Sequence, residues 1–192
     1  MILTDDIQFA ARDLMTALSD ARIDAVLGGA MAYGYWGVPR GTLDIDVTVF
    51  VDLDRIESVF PVLEALGARF DRSRALDVAQ RRGVFEVELR SFRVDVFVPD
   101  IPLYAAARER RRRVRFLDVE LLVWAPEDIT LFKLLYFRPK DKLDIENIIQ
   151  IQQENVDLGY IRRWLVDLVG AADERAVWFE SAVARWMPAR MV

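Results

Sequence analysis

The chain contains neither cysteine nor histidine. Without a thiol it can hold no disulfide, thiolate nucleophile, zinc finger or iron–sulfur cluster. Without an imidazole it has no Ser–His–Asp triad, no HExxH zinc site and no histidine general base. Lysine is scarce as well: only Lys133, Lys140 and Lys142 occur among 26 basic residues. No apolar run approaches the roughly 18 residues of a membrane span, so no membrane partner is expected. The first residues, with Asp5, Asp6 and Arg12, lack a leader pattern, and the cytoplasm is the expected compartment. Chemistry must then rest on carboxylates, hydroxyls, Arg, Lys and backbone groups, or on oxygen-preferring metals such as Mg²⁺ or Mn²⁺.

What remains is ample for a packed core. The 192 residues are 53% hydrophobic and 30% charged, the size of one ordinary domain with a helical appendage. A net charge of −5 argues against a globally basic coat for nucleic acid. The basic residues are nonetheless unevenly spread. Arg108, Arg110, Arg111, Arg112, Arg113 and Arg115 form a run broken by Glu109 and Val114. That run fits a path for RNA phosphates, a solvated helix face, or a dock for an acidic partner protein.

Apolar spacing predicts a helix over 5–21 with Thr4 as its N-cap, and a second from Ile56 to Leu66 closed by Gly67. Residues 25–27 form a short apolar run before Gly28-Gly29, and 30–36 reads as a helix or compact turn. Residues 43–51 alternate strictly, with Leu43, Ile45, Val47, Val49 and Val51 on one face. Val84–Leu89 and Arg93–Val98 read as strands joined near Ser91, 102–113 as a helix or basic loop, and 114–116 with 119–123 as a last hairpin. From Pro126 onward the pattern is helical, with Pro139 starting a new helix and two more around 158–169 and 173–186. Trp164, Trp178, Phe179 and Trp186 read as core. The fold class is α/β (α+β): a mixed sheet with flanking helices in residues 1–125, then a helical region in 126–192.

The chemistry concentrates on Asp44 and Asp46. Side chains two apart on a strand leave the same face, so the two carboxylates stand a few ångströms apart. Like charges that close raise each other's pKa unless a cation or donors compensate. Two readings fit the pair alone: solvated carboxylates on an edge strand, or ligands of a divalent ion. The segment Arg93-Val94-Asp95-Val96-Phe97-Val98 repeats the pattern. Were it to neighbour the first strand, Asp95 would join Asp44 and Asp46 around one or two ions, as two-metal phosphoryl chemistry needs. Upstream, Gly28-Gly29 between a strand and a helix lets backbone approach a ligand closely. The clustered lysines point to a need for compact ammonium groups, or to solvated helix ends such as a Lys140–Asp144 pair.

Gly28-Gly29 followed by Arg40-Gly41-Thr42-Leu43-Asp44-Ile45-Asp46-Val47 resembles the signature of the polymerase-beta-like nucleotidyltransferase superfamily. It is most similar to the branch containing the abortive-infection type E toxins. Pro126-Glu127-Asp128-Ile129-Thr130-Leu131-Phe132-Lys133, then Arg138-Pro139-Lys140-Asp141 and Asp144, resembles a later helical motif of that branch. The resemblance implies Mg²⁺- or Mn²⁺-dependent transfer of a nucleotide from an NTP to an acceptor hydroxyl, possible acceptors being tRNA or protein. It implies Asp44, Asp46 and Asp95 as metal ligands, with Asp95 also acting as base. Gly28 and Gly29 would cradle the triphosphate and Lys133 would neutralise its outer phosphates, with Arg40, Thr42 and Asp144 as further nucleotide-site residues. In this way the helical region would complete the nucleotide site. An antitoxin protein is an implied partner. The chain departs from the pattern at Trp36, where relatives often carry His. The alternatives are transfer to a small aminoglycoside-type molecule, or a catalytically silent partner-binding module.

Overall fold

The computed structural model describes residues 4–187, with side chains from Asp6 on. The chain divides into two compact units: residues up to Met31 with Arg40–Trp124, and Ala32–Pro39 with the chain from Ala125 on. Division at residue 125 by sequence alone misses the short segment 32–39, which groups with the helical unit.

The first unit is built on a six-stranded mixed sheet. Its strands are β1 (Ala25–Leu27), β2 (Asp44–Val49), β3 (Val84–Leu89), β4 (Phe92–Phe97), β5 (Arg112–Phe116) and β6 (Val119–Val123), in the order β3-β4-β2-β1-β6-β5. β2 runs parallel to β4, and β1 parallel to β6, while the other neighbours are antiparallel. Ile45, Val47 and Val49 on β2, Val94 and Val96 on β4, and Phe85, Val87 and Leu89 on β3 are buried. Burying each such side chain contributes roughly 1.5–3 kcal/mol. Like charges facing one another on the opposite face cost only about 0.2–1 kcal/mol a pair. The apolar face therefore fixes the register, and the charged face must accept it. Leu43, expected to begin β2 on the inner face, lies before the strand and is 69% exposed.

Helix α1 (Thr4–Asp20) packs on β1 through a stripe of Ile7, Ala10, Ala11, Leu14 and Leu18. The Thr4 side chain, expected as its cap, lies outside the described residues. Residues 30–36 supply only the five-residue α2 (Gly29–Tyr33). The helix expected from Ile56 splits into a 3₁₀ segment, Leu53–Val59, and α3 (Phe60–Ala65). Pro61 has no N–H to give Glu57, so the ladder tightens there, with Phe60 donating to Glu57. Helix α4 (Arg72–Arg82) has no counterpart in the apolar periodicity, because it buries only Ala75 and Ala79. Its signals are the Asp71 cap, which accepts from the Arg74 N–H, and Gly83 at φ +64°. Helix α5 (Pro102–Arg110) follows β4.

The second unit packs α6 (Pro126–Tyr136) against α7 (Pro139–Gln152) and α8 (Leu158–Val169), with α9 (Glu174–Trp186) against α7 and α8. Phe137 in the left-handed region ends α6, and Pro139 starts α7. On α6 the Asp128 carboxylate accepts from the Tyr160 hydroxyl, and Glu127 accepts from the Asp157 N–H. Each bond engages one oxygen of a buried acid. Phe179 is buried as expected, but Trp186, the last residue of α9, is 39% exposed. Among the described residues no helix is long and apolar enough to cross a membrane.

The arginine run does not form one surface. Arg108 and Arg111 both clamp Asp24, at 2.5 Å each, and both stack over the Phe50 ring. Arg112, Arg113 and Arg115 are exposed on β5, an edge strand, where charge discourages pairing with another sheet. Arg113 reaches Glu120 on β6 across 3.7 Å, and Arg115 donates to the Leu117 carbonyl. Arg110 is half-buried at the end of α5.

Burial pushes the Asp24 carboxyl up, but hydrogen bonds from Arg111 and Arg108 outweigh it and hold Asp24 below its ordinary 3.8. A carboxyl depressed on folding stabilises above its unfolded pKa and loses that contribution as pH falls through the folded value. Thermal unfolding followed from neutral to acid pH will show a falling Tm in that window. Asp24→Asn will remove part of the fall and lower neutral-pH stability by about 1 kcal/mol, the scale of a partly exposed ion pair.

Candidate active site

The site of the first unit is assembled by strand register. Asp46 on β2 sits directly opposite Asp95 on β4, and Asp44 opposite Arg93. On β4's other side, Asp95 faces Glu86 and Arg93 faces Glu88 of β3. Two charged rows thus cross three strands, Asp46–Asp95–Glu86 and Asp44–Arg93–Glu88, on the face opposite the apolar core. Thr42 shapes the entry to β2: its hydroxyl accepts from the Asp44 N–H at 3.2 Å and lies 3.1 Å from the Asp44 carbonyl oxygen. Arg40 is exposed two residues earlier.

The Gly28-Gly29 turn lies against the same carboxylates. The Gly28 N–H donates to the Asp46 carbonyl oxygen at 2.8 Å, and a Cβ at Gly28 would stand 3.3 Å from the Trp124 ring. That N–H is already used, so Gly28 offers a ligand close approach rather than a strong donor. Gly29 has φ +54°, and a Cβ there would overlap the Asp46 carboxylate. Glycine is required at this position both by conformation and by space.

Charge on this face is unbalanced. Burial pushes the Asp95 carboxyl up to about 6; Arg93 opposes the rise, while Asp46, Glu86 and Asp44 add to it. Arg93 Nη2 lies 2.9 Å from Asp44 Oδ2 and 3.4 Å from Asp95 Oδ2. The donor set, all carboxylate oxygen, fits a hard divalent cation such as Mg²⁺ or Mn²⁺. Among the described residues, however, no three acidic side chains are gathered into a closed metal cage. A guanidinium bridges two of the three expected ligands instead.

Neither Arg93 nor Glu86 was among the expected site residues. The alternation of Val84–Leu89 does put Glu86 and Glu88 on one face, but which strand they face depends on register across distant segments, which no local pattern records.

Lys133, Asp144 and Arg138 belong to the second unit. The Lys133 ammonium is buried, 2.6 Å from Asp144 Oδ2 and 3.8 Å from Asp141 Oδ1, and lies 5.1 Å from the centre of the Tyr33 ring. Asp141 is in turn held by Arg138 at 2.6 Å, with the Arg138 N–H closing a capping box on α7. Tyr33 is fully buried, and its hydroxyl accepts from Asn147. At Trp36, the departure from the family pattern, the carbonyl accepts from Gln152. Lys133 and Arg138 together balance the two buried carboxylates. Lys140, expected as a partner of Asp144, is exposed at the start of α7.

Two stability measurements follow from these contacts. Gly29→Ala will cost about 1–3 kcal/mol in urea unfolding, whereas Gly41→Ala, with open space around its Cβ position, will fall within about 0.5 kcal/mol of the parent. Lys133→Met will cost about 3–5 kcal/mol, because it removes the ammonium 2.6 Å from buried Asp144.

No protein-family model and no curated protein sequence matches the chain. Solved structures do. The antibiotic-resistance factor ANT(2'')-Ia is similar with a TM-score of 0.60 at 13% identity, over 95% of this chain and 96% of that one. The lincosamide antibiotic adenylyltransferase LnuA in its lincomycin-bound form matches with a TM-score of 0.50 at 17% identity, over 70% of this chain and 90% of that one. JHP933 from Helicobacter pylori matches with a TM-score of 0.50 at 14% identity, over 96% and 82%. At such identities the likeness concerns the fold, and the fold of this chain is that of the nucleotidyltransferases.

Proposed function

We propose that the chain is an Mg²⁺- or Mn²⁺-dependent nucleotidyltransferase that moves a nucleotide from an NTP to an acceptor hydroxyl, in the cytoplasm where both are supplied. The observation that supports this most directly is the register of β2 and β4, which sets Asp46 opposite Asp95 with Asp44 one pleat away, beside the Gly28-Gly29 turn. Asp44, Asp46 and Asp95 would hold the divalent ions. When bound, these would neutralise charge on the transferring phosphate and acidify the attacking hydroxyl.

In the reaction the acceptor oxygen forms a bond to the α-phosphorus while the bond to the β-phosphate bridge breaks, releasing pyrophosphate. The hydroxyl proton passes to a carboxylate oxygen of Asp95, in the role of general base. Gly29, bare of a side chain, lets the turn that would meet the triphosphate close onto the Asp46 carboxylate. Thr42 fixes the direction in which β2 delivers Asp44, and Arg40 lies near enough in sequence to reach a phosphate. Lys133 and Asp144, 2.6 Å apart in the second unit, act as one element, so a phosphate that draws on Lys133 must displace Asp144.

Two acceptor classes divide this reading. The motif resemblance favours a toxin-like enzyme acting on tRNA or protein, with the exposed arginines of β5 as the RNA contact and an antitoxin as partner. The acidic row ending in Glu86 favours a small, amine-bearing polyhydroxyl acceptor, because ammonium groups would neutralise it. The split of the arginine run between Asp24 and the sheet edge weighs towards the second. A partner-binding module without activity is the remaining alternative.

The test is incubation with each labelled NTP and Mg²⁺ against total RNA, cell protein and a panel of amino sugars. Label will enter one of these, and Asp44→Asn and Asp46→Asn will abolish the incorporation with unchanged circular dichroism. Asp95→Asn will slow it by roughly 10²–10⁴, the share of a general base. Full incorporation by all three variants would remove the carboxylates from catalysis.

A further inference from the structure

The charged face of the sheet contains its own cation. Arg93 stands in the row between Asp44 of β2 and Glu88 of β3, and two residues before Asp95 on its own strand. Its guanidinium bridges Asp44 and Asp95. These oxygens are the ones a divalent ion would need. Two cations cannot share them, because a guanidinium and a doubly charged ion held by the same oxygens repel each other.

The surroundings provide an alternative place for the displaced group. The Arg93 side chain is 49% exposed, so it can turn without unpacking the core. Its cross-strand neighbour Glu88 is a carboxylate on the same face, already paired with Arg69. The other charges on this face are Asp46 and Glu86, both acidic, and both draw cations inward. The inboard position bridges two carboxylates, and the outboard position offers one.

We infer that Arg93 is a latch on the metal site: its guanidinium and a divalent ion are mutually exclusive partners of Asp44 and Asp95, and the ion binds as Arg93 turns outward towards Glu88. The inference rests on the reading of Asp44 and Asp95 as metal ligands. Arg93 is thereby a positioning residue that sets how tightly, and how selectively against weaker cations, the site takes its metal.

The experiment measures Mn²⁺ binding by electron paramagnetic resonance at pH 8, without nucleotide, for the parent protein, Arg93→Met, Arg93→Lys and Asp46→Asn. Arg93→Met is expected to bind Mn²⁺ about tenfold more tightly than the parent, equivalent to ~1.4 kcal/mol. Arg93→Lys, which keeps the charge but loses the planar bridge, should fall between them, and Asp46→Asn should bind more weakly than the parent. In the parent, the Arg93 Nε–H resonance should move on titration with Mg²⁺. Equal or weaker Mn²⁺ binding by Arg93→Met, with Asp46→Asn still weakened, would overturn the latch and leave the metal site standing. Absence of binding by every variant would overturn the metal reading and the latch with it. If Arg93→Met fails to fold, Arg93→Gln serves in its place, and a stationary Arg93 resonance in an ion-bound parent overturns the latch without any variant.

Discussion

Like-charged carboxylates held opposite one another by strand register are the constraint on which the first unit turns. Asp46 and Asp95 face each other because Ile45, Val47, Val94 and Val96 must be buried on the reverse side. A one-residue slip would invert both faces at once, exposing the core to remove a modest repulsion. Burial dominates by several kcal/mol, so the acids stay together. Their remaining imbalance shows in the raised Asp95 carboxyl and in the guanidinium drawn between Asp44 and Asp95. The site is thus strained electrostatically rather than sterically, and positive charge relieves it.

The turn at Gly28-Gly29 is bound to the same geometry. The Asp46 main-chain oxygen accepts from Gly28, and the Asp46 carboxylate fills the space a Gly29 side chain would take. Backbone and side chain of one residue therefore position the loop that would meet a phosphate group. The second unit resolves its charges differently. Lys133, Asp144, Asp141 and Arg138 alternate in sign within a buried or half-buried network, and their charges cancel. Near-neutrality makes that cluster stabilising first, and available to a ligand only at the cost of opening it.

Much of this was legible in the sequence because the features are local. The alternation in 43–51 and 93–98 shows which side chains share a face, and Pro126 and Pro139 mark helix starts. The mixed sheet and the helical final third follow from the same patterns. Helix α4 escaped because its buried stripe is two alanines, too small a signal for periodicity. The broken helix before α3 escaped because a proline inside an apolar stripe does not disturb the spacing. The pairing of β2 with β4, and hence Arg93 and Glu86 as parts of the site, depends on contacts between segments about fifty residues apart in sequence. Contiguity misled in the arginine run, where a clamp on Asp24 and an edge strand lie side by side in the chain but do different work.

The short segment 32–39 has a topological consequence. It sends the polypeptide out of the sheet unit and back again before β2 is laid down, and the chain crosses a third time after Trp124. No single cleavage can therefore separate the two units. Trimming the chain at residue 124 would strip Tyr33 of Asn147 and Lys133 and bare a fully enclosed aromatic ring. Domain dissection here calls for rejoining Met31 to Arg40, not for a stop codon.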